Sequence, residues 1–277
     1  MDNYKTILVG LDRGHRNPER LEIAARLAGG FGARLVALFA LSADPVSTYS
    51  DVRELMEQAA TRWHDEASAE AERVFARVVP KGVDARFRRT REDALAAMRA
   101  DGRLADLIIL GQQDRKRDDD SGLQASFTDE MVLSAGRPVL CIPSAGEFAT
   151  IGERVLVAWD GSREAARAVT DALPFLTRAR KVDIAIFNPE KLPLAGESEP
   201  GAALVEYLAC HGVSAHLAIQ RKAGEAIGER LLSLAYDLSA DLLVMGAYGH
   251  SRTRELILGG VTRTIRESMT LPVLLAH

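Results

Sequence analysis

Apolar residues occur along this chain in short solid runs, separated by longer stretches in which they recur every three or four positions. A solid run of four to eight marks a strand buried on both faces, and the wider spacing marks a helix with one face on the core. Lys5-Thr-Ile-Leu-Val-Gly-Leu11 is the first run and ends at Asp12, and Asn17 to Phe31 follows with Leu21, Ala24, Ala25, Leu27 and Ala28 at helical spacing. Ala33 to Leu41 predicts a second strand, and Val52 to Val79 a long helix that Lys81-Gly82 stops. Val83 to Arg88 alternates as a half-exposed strand, Glu92 to Ala100 is helical, and Asp106-Leu-Ile-Ile-Leu110 is a fully apolar strand followed by Gly111. Residues 112–122 form a charged loop before a helix to about Ala135 and a strand from Pro138 to Ile142.

Pro143 to Gly152 has the composition of a linker, and after it the pattern starts again. Arg154-Val-Leu-Val-Ala-Trp-Asp160 repeats Thr6-Ile-Leu-Val-Gly-Leu-Asp12; Arg163 to Leu176 is helical, Lys181 to Phe187 a strand, Ala202 to His211 a helix. Val213 to Ile219 is an alternating strand and Gly224 to Leu238 a helix. Asp241-Leu-Leu-Val-Met-Gly246 repeats Asp106-Leu-Ile-Ile-Leu-Gly111, and Leu271-Pro-Val-Leu-Leu repeats Arg137-Pro-Val-Leu-Cys. The chain therefore reads as a duplication, with domains at 1–146 and 153–277. Strands alternating with helices predict the α/β class: two tandem, doubly wound, five-stranded parallel sheets, each in the order 3-2-1-4-5. The apolar terminal strands, Val139–Ile142 and Val273–Leu275, are expected to pair with each other within the chain, because an uncovered apolar edge invites association.

In such a sheet a ligand crevice lies at the carboxyl ends of strands one and four, where the winding reverses. In the second half these ends are Asp160 and Gly246, so an acidic acceptor meets the stretch Gly246-Ala-Tyr-Gly249-His-Ser-Arg, which leads through Gly259-Gly260-Val261 into a helix. Glycines let the backbone approach a ligand closely, and a helix start offers unpaired N–H groups, a combination suited to phosphate. His250 and Arg252 are candidates to neutralise phosphate charge, with ordinary solvated loop cations as the other reading.

The 277 residues suit two cores, and 47% hydrophobic and 27% charged residues are ordinary globular values. A net charge of -4 with arginines scattered among acids gives no footprint for nucleic acid. The apolar runs are strand-length, short of the roughly 20 residues a membrane span needs. With no signal region at Met1-Asp-Asn-Tyr and only Cys141 and Cys210, the expectation is a cytoplasmic protein without membrane partners. Ser162 lies in no nucleophile elbow, and Cys210, His211 and His216 match no zinc spacing, so neither hydrolysis of that kind nor a metal site is expected.

Over essentially its whole length the chain resembles the universal stress protein family in its tandem form, on Asp160 in Val-Ala-Trp-Asp-Gly-Ser, on Gly246-x2-Gly249-x9-Gly259, and on Leu-Pro-Val-Leu-Leu near the end. The resemblance implies the fold above, dimers formed by antiparallel pairing of the last strands, and ATP or a related adenine nucleotide as ligand. For this chain it implies an intramolecular pseudo-dimer, with a homodimer of chains also open. It puts Asp160, with Ala158 beside it, at the adenosine. Gly246, Gly249, Gly259 and the backbone of Gly260 and Val261 would surround the phosphates. The implied role is a stress-response regulator; a nucleotide-free dimerisation scaffold and a slow ATPase are the alternatives. Gly260 stands where the ATP-binding branch has Ser or Thr, a lost hydrogen bond to a charged group worth about 1.5–3 kcal/mol. The Lys and Mg²⁺-binding hydroxyl of a Walker loop are absent, which argues against a vigorous NTPase and leaves a role for Mg²⁺ open. The first half keeps Asp12 but has Ala125-Ser126 in place of Gly259-Gly260 and an acidic run, Asp118-Asp-Asp120, so its nucleotide loop is expected to be degenerate.

Overall fold

The computed structural model describes residues 3–41, 50–113, 123, 126–191, 199–221, 226–249 and 260–277, with the backbone alone for 50–60 and 191. The chain divides into two compact units, Tyr4–Ala135 and Gly136–His277, the latter with the first three residues.

In the first unit, β1 (Thr6–Leu11), β2 (Arg34–Phe39), β3 (Ala85–Arg89) and β4 (Leu107–Gly111) alternate with α1 (Asn17–Phe31), α2 (Ser50–Val78), α3 (Ala94–Gly102) and α4 (Phe127–Ser134). β1 pairs in parallel with both β2 and β4, and β2 with β3. The apolar runs are the sheet centre: Ile7, Val9, Leu35, Ala37, Leu107, Ile108 and Ile109 are fully buried. Helix α3 begins two residues later than its spacing predicts, because Asp93 caps it, accepting from the backbone N–H of Leu95 (3.1 Å) and Ala96 (3.2 Å).

The second unit opens with β5 (Val139–Ile142) and continues through β6 (Arg154–Ala158), α5 (Arg163–Leu176), β7 (Lys181–Phe187), a 3-10 turn (Pro189–Lys191) and α6 (Ala202–Cys210). β8 (Ala215–Gln220), α7 (Ile227–Asp237), β9 (Leu242–Gly246), α8 (Gly260–Ser268) and β10 (Val273–Ala276) complete it. Its parallel order β8-β7-β6-β9-β10 is again 3-2-1-4-5, as is β3-β2-β1-β4-β5 in the first half of the sequence. β5 and β10 pair antiparallel, with Leu140 opposite Leu274, so these terminal strands do pair within the chain.

The repeated Asp at the head of strand four has a structural purpose. Asp241 accepts from the backbone N–H of Gly152 (3.0 Å), Glu153 (3.1 Å) and Arg154 (2.9 Å), and Asp106 from Lys5 (2.8 Å) and Thr6 (3.0 Å). Each carboxylate ties the entry of strand one to the entry of strand four. Those two strands then leave their carboxyl ends side by side, which creates the crevice.

Candidate functional site

In the second unit β6 ends at Ala158 and the chain turns over Trp159-Asp160-Gly161-Ser162 into α5. The Trp159 N–H donates to Ala185 O (2.9 Å), which extends the β6–β7 pairing by one residue. An Asp160 carboxylate oxygen accepts from Ser162 N (2.9 Å), closing an Asx turn in which Gly161 takes φ 74°. Ser162 is the N-cap of α5, its Oγ accepting from Ala165 N (3.1 Å). Asp160 is thus fixed at the strand end by local hydrogen bonds that its own sequence neighbours provide.

β9 ends beside it. A Cβ on Gly246 would stand 2.5 Å from Ala165 N and 2.6 Å from the Glu164 carbonyl carbon, so the first turn of α5 can cross the strand end only over a glycine. A Cβ on Gly249 would stand 3.0 Å from Glu164 Oε2 and 3.6 Å from Ser162 Oγ. Between these elements and the start of α8 lies a cleft of about 260 Å³. Ala158, Ala185, Phe187, Ile227, Leu231 and Met245 make an apolar end, and Asp160, Ser162, Glu164, Gly249, Gly260 and Thr262 a polar one. This is the usual make-up of a small-molecule site, mostly apolar with a few convergent polar groups.

Of the site residues expected from sequence, Ala158, Asp160, Gly246, Gly249, Gly260 and Val261 meet in this cleft. His250, Arg252 and Gly259 lie outside the described residues. Sequence reasoning missed Glu164 and Thr262, which are 4% and 5% exposed and line the polar end. It also missed the α7 pair Ile227 and Leu231, whose i,i+4 spacing on an amphipathic helix marks a face but not what that face covers. Trp159 is a further addition: its indole Nε1 is buried, with no hydrogen-bond partner among the described residues.

The corresponding crevice of the first unit is filled. Arg20, 5% exposed, reaches in from α1, donating to Gly10 O (2.6 Å) and pairing with Asp12 Oδ2 (2.9 Å). The other Asp12 oxygen accepts from Gly14 N (2.7 Å). Gly111 packs on the guanidinium, where a Cβ would come within 2.9 Å of an Arg20 terminal nitrogen, and the cavity that remains is about 10 Å³. The glycine that ends strand four meets a different part of the neighbouring helix in each half, the Arg20 guanidinium at Gly111 and the backbone of Glu164 and Ala165 at Gly246. The first half is closed by its own arginine, a cause additional to the loss of glycines legible in its sequence.

Among the described residues no group of three or more His, Cys, Asp or Glu is arranged to hold a metal ion. His216 is exposed on β8, consistent with a solvated side chain. No described helix is long and apolar enough to cross a membrane.

Comparison with known proteins gives a consistent picture. The universal stress protein family model matches residues 3–143 and again 152–277. A universal stress protein of Synechocystis sp. is 27% identical over 174 residues, 61% of this chain, and the match spans 57% of that relative's length. A solved universal stress protein from Archaeoglobus fulgidus superposes with a TM-score of 0.68 at 17% identity, covering 98% of this chain and 97% of its own. A Pseudomonas aeruginosa protein does so with a TM-score of 0.59 at 17% identity, over 99% and 92%. Solved universal stress proteins also include complexes with cAMP and with dAMP.

Proposed function

We propose, from the premise that the chain belongs to the universal stress protein family, that the cleft of its second half binds an adenine nucleotide. The protein then acts in the cytoplasm as a stress-response regulator, through binding and not turnover. The observation that carries this reading is the convergence of Asp160, Gly249 and Gly260 at the polar end of a cleft whose other end is apolar and wide enough for a base. Phe187, Ile227, Leu231 and Met245 suit the adenine ring, and the Asp160 carboxylate suits the ribose hydroxyls. Phosphate suits the start of α8, which carries no acidic residue in its first turn to compete for the helix's positive end. Thr262 offers a hydroxyl two residues beyond the position where Gly260 lacks one.

A nucleotide-free dimerisation scaffold is favoured by one observation, the first-half crevice filled by Arg20. Mass spectrometry of the purified, denatured chain separates the two readings. A co-purifying adenine nucleotide at up to one per chain is expected; a chain that carries none and acquires none on incubation with excess nucleotide supports the scaffold.

A further inference from the structure

Two helix starts border the cleft of the second half, and they differ in charge. At α5 the first turn holds Glu164, its side chain 5% exposed, paired through Oε1 with Arg163 Nε, whose side chain is 83% exposed. The second carboxylate oxygen faces the glycine turn, 3.0 Å from where a Gly249 Cβ would stand. The positive end of α5 is therefore occupied by the protein's own anion. At α8 there is no acidic residue in the first turn, no described residue lies within 4 Å of a Cβ built on Gly260, and Thr262 lines the same wall. One helix start carries an anion of its own in its first turn and the other does not.

A single phosphate at the start of α8 gains that helix end and stays clear of the carboxylate. A chain of three phosphates that runs on along the glycine turn passes Gly249, where it meets the Glu164 carboxylate, whose side chain is largely shielded from solvent. Arg163 offsets this little, because its guanidinium lies in solvent.

We propose, resting on the nucleotide reading above, that the cleft selects adenine nucleotides carrying one phosphate over the triphosphate, and that Glu164 is the residue that sets this preference. The test is calorimetric titration of AMP, ADP and ATP into the full chain without divalent cations, for wild type and Glu164→Gln. Wild type is expected to bind AMP more tightly than ATP by about tenfold or more, since like charges a few ångströms apart in a partly desolvated site interact strongly. In Glu164→Gln the gap narrows, because ATP affinity gains more than AMP affinity. A second readout needs no variant: rising salt screens a repulsion, so the ratio of ATP to AMP affinity in wild type is expected to rise with ionic strength. ATP binding as tightly as AMP, a ratio unchanged in folded Glu164→Gln, or a ratio that falls with salt overturns the selectivity while leaving nucleotide binding intact. Failure of all three nucleotides to bind overturns the nucleotide reading and this one together.

Discussion

Arg20 shows how a single side chain, laid against the glycine at the end of strand four, can close a crevice. In the first half this cation reaches back to Asp12, and the pair, with each side chain 6% exposed, consumes the acidic group that the second half presents to its cleft. Removing one member of a buried pair leaves the other charged and unpartnered, at a cost of about 3–5 kcal/mol. Arg20→Ala is expected to lower the stability of the chain by that order in urea unfolding; a midpoint within error of wild type would mean that Asp12 does not depend on Arg20. A second residue carries a pH dependence. Burial raises the Asp171 carboxyl above its ordinary value, and the ion pair with Arg167 (2.7 Å) opposes this only in part. Between the ordinary and the raised value the folded chain holds a proton that the unfolded chain has lost, so stability falls as pH rises through that window and stays lower above it. Asp171→Asn is expected to flatten this slope and to be more stable than wild type at neutral pH; parallel stability curves from acid to neutral pH would contradict it.

At the scale of elements, solid apolar runs located the inner strands, because a run without polar interruption has no solvent face to lie on, and alternation located the half-exposed β3 and β8. The duplicated Asp106 and Asp241 were legible as a repeat but not as ties between strand entries, since their partners are backbone N–H groups about a hundred residues away in sequence. The cleft was half legible. Asp160, Gly246 and Gly249 follow from fold topology and residue type. Glu164 does not, because an acidic residue in a first helical turn ordinarily stays in solvent, and here the glycine turn after β9 covers it. Thr262 does not either, because a threonine in the first turn of a helix bears no mark in sequence of the wall it lines. The glycines also divide by role. Gly246→Ala sets a Cβ 2.5 Å from a backbone nitrogen that cannot swing aside, whereas Gly260→Ala meets no described residue within 4 Å. Thermal denaturation is expected to show Gly246→Ala destabilised by about 1–3 kcal/mol or more and Gly260→Ala nearly unchanged. Equal effects would mean that the α5 turn over β9 is not close-packed.

Over the whole molecule, duplication has produced two units with the same strand order and opposite fates at the switch point. One crevice keeps about 10 Å³ beside an internal ion pair, and the other holds about 260 Å³. Family membership is shared by both halves, each matched by the same family model, yet the capacity to bind is assigned here to one of them. That asymmetry is a statement about stoichiometry, and stoichiometry is directly measurable. Titration calorimetry of AMP into the full chain is expected to give one site per chain, with the heat abolished in Asp160→Ala and retained in Asp12→Asn. Two sites per chain, no heat at about 1 mM AMP, or an Asp160→Ala isotherm equal to that of wild type would contradict nucleotide binding in the second-half cleft.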